Sequence, residues 1–248
     1  MSERSFEGLT VVAWRIRMTS TVFVTGASKG LGLALSKNLA RRGFTVFAGI
    51  FEPSKPLEDE AQTPGRKITI IPLDVTNMQS VREAYGQVAS QTDRLDILLN
   101  NAGILIDGNA GIENIDFEKV AMTLNTNAVG PLRMTHQFLP LLRKGSLKKI
   151  VNISSESGSV ENNVRKTMIG YCMSKCAVNM QTKILQNILA PEGFTFLAIE
   201  PGWMRTDVGG PDGLFSPDES AELIVKLITG EQPAQAMYVD NKGVAIKY

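Results

Sequence analysis

Short runs of β-branched, Leu and Phe residues alternate along this chain with longer stretches of helical periodicity, and no other feature restricts its folds as much. Strands are predicted at 21–24, 45–48, 68–73, 95–99, 149–153, 195–199 and 236–239. They mostly lack polar–apolar alternation, which is the pattern of strands buried on both faces. Helices are predicted at 31–42, 78–90, 117–143, 171–189 and 217–229. Several carry start signals, such as Thr76-Asn77 before Met78 and Ser216-Pro217 before Asp218. Alternation of this kind implies an α/β chain: a doubly wound parallel sheet of seven strands with helices on both faces.

Composition removes whole classes of function. The 26 basic and 25 acidic side chains nearly cancel, leaving a net charge of +1, so no basic nucleic-acid footprint is present. A single histidine, His136, and two cysteines, Cys172 and Cys176, cannot assemble the usual zinc ligand set, and no metal site is expected. A Ser-His-Asp hydrolase would have to use His136, which sits in the apolar run MTHQFLPLL. Two thiols four residues apart on one helix are poorly placed to bridge, so a cytoplasmic protein with a reduced interior is expected. No segment reaches the roughly 18 apolar residues of a membrane span. The first apolar stretch is preceded by Glu3 and Glu7 and followed by no cleavage pattern, unlike a secretory signal.

Residues 1–17 read as an N-terminal extension, with an extra edge strand at 9–16 as the alternative, and 18–248 as one domain. The 248 residues suffice for a sizeable core, and no repeat or low-complexity tract divides them. The polar, proline-containing segment 52–66 reads as a long surface connection. The Gly- and Pro-rich segment 207–216 reads as a flexible lid.

The first strand runs directly into Thr25-Gly26-Ala27-Ser28-Lys29-Gly30-Leu31-Gly32 and then a helix. Glycines there allow a tight turn and close backbone approach to a pyrophosphate, whose charge a helix N-terminus favours. A purely structural turn is the competing reading. Further on, Tyr171-Cys172-Met173-Ser174-Lys175 places a phenol and an ammonium one helical turn apart. A free tyrosine has a pKa near 10, and a nearby cation would favour its phenolate for acid–base work. Such pairs also occur by chance on solvated helix faces.

Taken together, TGASKGLG, Asn100-Asn101-Ala102-Gly103, Ser154, Tyr171-x-x-x-Lys175 and Pro201-Gly202 resemble the short-chain dehydrogenase/reductase family. Each motif follows a predicted strand or opens a helix, in the family's order, and the resemblance covers essentially residues 18–248. Within the family the pattern is nearest to the C-factor and Sniffer-type carbonyl reductases. The resemblance implies a single-domain Rossmann fold and a set of roles. Tyr171 would be the general acid or base, and Lys175 would lower its pKa and hold the nicotinamide ribose. Ser154 would hydrogen-bond the substrate oxygen, and Asn127, in Asn-Thr-Asn-Ala-Val-Gly, would anchor a proton-relay water. Gly26, Ser28, Lys29, Gly30, Leu31 and Gly32 would cradle the cofactor phosphates. Asp74 and Val75 would lie beside the adenine, Thr206 would fix the carboxamide, and Asn101, Ala102, Gly103, Pro201 and Gly202 would also bind the cofactor.

Family members that prefer NAD usually carry an acid at the end of the second strand, where Ile50 stands here. Lys29 resembles the basic residue that meets a 2′-phosphate, so NADP(H) is favoured over NAD(H). Ser154 and Tyr171 are seventeen positions apart, longer than the dozen or so usual in the family, and the additional piece within 156–169 would border the pocket. Trp203, Met204, Leu214 and Phe215 could line an apolar pocket, although core or lid packing explains them equally. Cys172 and Cys176 read as buried small residues. The expected function is reduction of a ketone or aldehyde, or oxidation of a secondary alcohol, by hydride transfer from or to NAD(P). The rival is a nucleotide-binding signalling or scaffold protein with little turnover. Helices 117–143 and 171–189 resemble those that pair in family oligomers, so a homodimer or homotetramer is expected, with neither nucleic acid nor membrane as a partner.

Overall fold

A computed structural model describes residues 20–248, so the extension at 1–17 and the alternative edge strand at 9–16 lie outside the described residues. The first half runs β1 (Thr21–Thr25), α1 (Gly30–Arg41), β2 (Thr45–Ile50), α2 (Lys55–Gln62), β3 (Lys67–Pro72), α3 (Met78–Ala89) and β4 (Ile97–Asn100). The second half runs α4 (Phe117–Leu124), α5 (Gly130–Lys144), β5 (Lys149–Ile153), α6 (Ile169–Leu189), β6 (Thr195–Glu200), α7 (Pro217–Ile228) and β7 (Tyr238–Asp240). The seven strands form one parallel sheet in the order β3-β2-β1-β4-β5-β6-β7. Chain direction across the sheet reverses between β1 and β4, where such sheets open a crevice at their carboxyl edge.

Successive strand residues feed two different cores, which is why the runs read as continuously apolar. Val22, Val24 and Val46 face a layer containing Leu35, Leu39, Ile224 and Val225. Phe23 and Phe47 face the opposite layer, with Val81, Met134 and Phe138. Deep between β1, β4 and the loop before β5 lies Asp96, fully buried, which accepts hydrogen bonds from the backbone and side chains of Thr21 and Ser146 at 2.7–3.1 Å. Burial pushes this carboxyl up, but the four donors outweigh it and hold it below its ordinary 3.8.

The start signals act as expected: Asn77 caps α3, and Ser216 with Glu219 forms a capping box on α7. Two expectations need correction. Segment 52–66 is not all connection, because Ser54 caps α2, with Pro56 in its first turn and Leu57 buried beneath it. The helix expected over 117–143 is broken by a π turn, Asn125–Val129, that absorbs one extra residue between α4 and α5. Among the described residues no helix is long and apolar enough to cross a membrane.

Candidate active site

A cleft of about 1110 Å³ opens along the carboxyl ends of β1, β4, β5 and β6. Its floor is the glycine turn. Gly26 and Gly30 adopt φ values of 66° and 54°, and a Cβ on Gly32 would lie 2.1 Å from the Gly26 carbonyl oxygen. Asn101 stitches this floor from the next strand, donating through Nδ2 to the Thr25 and Gly26 carbonyls at 2.9 and 3.1 Å. The Thr25 hydroxyl accepts the backbone N–H groups of Asn101 and Ala102, both at 2.9 Å. Helix α1 begins here with no capping side chain and no acid in its first turn, leaving its positive end for an anion. Ser28, Lys29 and Leu31 complete the turn's rim, and Asp74, Val75 and Gly103 line the neighbouring walls. This cradle, whose turn leaves no room for a side chain at Gly32, fits a dinucleotide pyrophosphate.

Across the cleft, Pro201 and Thr206 face the turn from the loop after β6, with Asp207 beside them. Lys29 pairs with Asp207 at 2.6 Å, both side chains being exposed, so its charge is already engaged. The pairing raises the lysine and lowers the carboxyl; Glu52 adds a weaker push on Lys29. Glu52, two residues beyond Ile50, is an acid near this corner that the reading of the second strand overlooked. The segment 207–216, expected as a lid, is knit to its own base: Trp203 Nε1 donates to Gly209 O at 2.6 Å and Arg205 to Gly213 O at 2.8 Å. Of the four residues offered as an apolar wall, only Met204 lines the cleft, together with Val208; Trp203 and Leu214 are exposed, and Phe215 packs against Gly202.

Helix α6 carries the tyrosine and lysine. Its N-cap position, Met168, is left-handed and cannot cap; Asp107 does so instead, its Oδ2 accepting the N–H groups of Gly170 and Tyr171 at 2.7 and 3.3 Å. Nothing local marks Asp107, since it lies 63 residues before Gly170, and sequence reasoning missed it. Tyr171 and Lys175 both line the cleft. Burial pushes the Tyr171 phenol up to about 12, opposed by a hydrogen-bonding interaction with the Ser155 side chain and by the charge of Arg165. Lys175 lies beside the phenol ring, one turn along the same helix. Its ammonium donates to the Ile153 carbonyl at 2.8 Å and lies 5.5 Å from the Tyr171 ring centroid, and burial pulls it down to about 8.

The two serines after β5 differ in what their protons are free to do. Ser154 lines the cleft but is buried, and its hydroxyl donates to Asn179 Oδ1 at 2.7 Å. Ser155 is half-buried; its oxygen accepts the Ser157 N–H at 3.1 Å, which leaves its proton available to the Tyr171 oxygen. The serine whose hydroxyl acts on the phenol is Ser155, one position past the one singled out from the sequence, although Ser154 is the one that lines the cleft. Identical neighbours gave no sequence signal to choose between them.

Asn127 sits in the π turn, buried behind the cleft rather than in its lining. Its amide bonds both backbone groups of Ile104 at 2.8 Å and the Ser174 hydroxyl at 3.1 Å, so its side chain is spent on tying β4's loop to α6. Gly202 likewise supports the site from outside its lining, at φ 84°. Cys172 and Cys176 are half-buried and unbridged.

A parallel sheet with a glycine-cradled, uncapped helix start at its switch point is the architecture of dinucleotide-binding domains. Residues 20–213 match the short chain dehydrogenase family. The chain is 35% identical over 159 residues to C-signal of Myxococcus xanthus, covering 63% of this chain and 95% of that protein. Carbonyl reductase Sniffer of D. melanogaster superposes with a TM-score of 0.84 at 28% identity, over 93% of this chain and all of that one. An NADPH-bound carbonyl reductase from chicken fatty liver gives 0.83 at 27% identity, over 93% and 94%. The chain belongs to the short-chain dehydrogenase/reductase family of oxidoreductases.

Proposed function

We propose that this enzyme transfers hydride between NADP(H) and a small-molecule ketone or aldehyde, or the matching secondary alcohol, with Tyr171 as general acid and base. The observation that carries this reading is a phenol lining the cleft, with the Lys175 ammonium 5.5 Å from its ring and one turn along the same helix; burial keeps the phenol protonated and Ser155 favours its ionised form. Bound NADP(H) would supply or accept the hydride. Tyr171 delivers a proton to the carbonyl oxygen as the alkoxide forms, and Ser155 donates its one hydroxyl proton to the phenol oxygen, which favours the phenolate left behind. Lys175 holds positive charge beneath the ring, which favours the phenolate once the proton has left. Asn127 and Ser154 keep the surrounding backbone in place.

NADP(H) over NAD(H) is supported by Lys29 at the cleft rim, by the apolar Ile50, and by the NADPH bound to the chicken relative. A second reading, a nucleotide-binding signalling protein with little turnover, draws its support from the similarity to C-signal. A screen of purified protein against aldehydes, ketones and secondary alcohols with NADPH and NADH separates the two. Turnover with NADPH supports the enzyme reading, and nucleotide binding with no turnover supports the other. The pH profile adds a check. Tyr171, near 12, stays protonated through the neutral range, whereas Lys175 loses its charge near 8. Carbonyl reduction is predicted to hold level below about pH 8 and to fall above it. We further propose a cytoplasmic homodimer or homotetramer.

A further inference from the structure

The segment from Ile153 to Gly158 presents Ser155, and it is gripped at four points, three of them from outside the cleft. Lys175 holds the Ile153 carbonyl, as described. One turn further along α6, Asn179 is 2% exposed and makes two bonds to the segment: its Oδ1 accepts from Ser154, and its Nδ2 donates to the Gly158 carbonyl at 3.1 Å. The Gly158 oxygen can only accept, which fixes the amide's orientation and so forces Ser154 to donate. Gly158 itself must lack a side chain, because a Cβ would lie 2.7 Å from the Lys175 backbone and 2.9 Å from Asn179 Nδ2. From β7, the fully buried Tyr238 donates its hydroxyl to the Ser155 carbonyl at 2.7 Å. That same oxygen takes the Gly158 N–H at 2.9 Å, so both its lone pairs are used.

These bonds leave Ser155 little freedom except at its hydroxyl. The carbonyl is held by Tyr238, the residues on either side by Asn179, and the side-chain oxygen by the Ser157 N–H. The proton is the one unspent group, and the Tyr171 phenol is the group it acts on. Neither Asn179 nor Tyr238 lines the cleft. We propose that Asn179 and Tyr238 are positioning residues that aim the Ser155 hydroxyl at the Tyr171 oxygen. This rests on the catalytic reading of Ser155 and Tyr171 given above.

A double-mutant cycle tests it, with NADPH and 4-nitrobenzaldehyde as the reaction and Ser155→Ala as the second background. Tyr238→Phe keeps the ring and removes only the hydroxyl; Asn179→Asp keeps the acceptor for Ser154 and removes the donor to Gly158. Each is expected to lower kcat by about tenfold with KM for NADPH unchanged, since small displacements of a reacting group are costly. In the Ser155→Ala background neither should cost anything further. Losses that multiply in that background, or that follow Tm across the variants, overturn the proposal. If Ser155→Ala alone leaves kcat at the wild-type value, the catalytic reading of Ser155 fails, and the positioning role fails with it. A readout without substrate is the tyrosinate absorbance of Tyr171, taken as the difference from Tyr171→Phe in each background. Loss of Ser155's donated bond raises the phenol's titration point, so both variants should move it to higher pH. An unmoved titration point contradicts the proposal even if no aldehyde is turned over.

Discussion

At the residue scale the site depends on which hydrogen-bonding groups are spent and which remain. Ser154 and Ser155 are chemically identical, yet one has given its proton to a buried amide and the other keeps it for the phenol. Lys29 shows the same logic with charge. Its pairing with Asp207 means that a cofactor phosphate must compete with a carboxylate already 2.6 Å away. Exposed pairs of this kind are weak, and a doubly charged phosphate would displace the carboxylate. Lys29→Ala is expected to weaken NADPH binding by roughly tenfold while leaving NADH nearly unchanged, read by fluorescence titration at fixed salt. Equal losses for both cofactors would place the lysine on the pyrophosphate instead. The glycine turn, Tyr171 and Lys175 were legible in the sequence because their spacing is local. Asp107, Asn179 and Tyr238 were not, since each acts on a partner brought near only by the fold, and a lone Asp, Asn or Tyr has no pattern to betray it.

At the element scale, strand–helix alternation was legible because buried parallel strands need apolar residues on both faces. The π turn was not, because Asn125–Val129 keeps helical composition on both sides and differs only by one inserted residue. That insertion is what lets Asn127 turn inward to Ile104 and Ser174. Helix α2 was hidden by its prolines and charges, although Ser54 before Lys55-Pro56 is a start signal in retrospect. Asp96 joins the start of β1 to the loops flanking β4 and β5. Asp96→Asn replaces an anion with four donors around it by a neutral amide that cannot accept from all of them. A loss of about 3 kcal/mol is expected at neutral pH, measured by urea unfolding. The folded carboxyl titrates below the unfolded value of 3.8, so its contribution is present above that pH and is lost as pH falls through the folded value. The gap between wild type and variant should therefore shrink in acid; a gap independent of pH would mean packing rather than charge.

At the scale of the whole molecule, the near-balanced charge is no obstacle to binding an anionic cofactor, because the field that matters is local to the glycine turn and the start of α1. The outer side of the molecule carries a further message. Met173, Met180, Ile184 and Ile188 are exposed along one side of α6, and Met122, Val129 and Leu132 are exposed along the segment from α4 to α5. Apolar surface at this spacing on two long helical segments matches a self-association face. Light scattering should give at least twice the 27.0 kDa of one chain, and Ile184→Glu with Ile188→Glu should return it to that mass. A wild-type chain that runs as a monomer would leave this face unexplained by pairing.

In the proposed chemistry Tyr171 supplies the proton while the rest of the cleft binds and aligns. The most direct measurement is single-turnover NADPH oxidation with a reducible carbonyl, comparing the wild type with Tyr171→Phe after confirming equal NADPH affinity. A rate reduced by at least about a hundredfold is expected in the variant, with cofactor binding intact. A variant that reduces the carbonyl at the wild-type rate would contradict that chemistry.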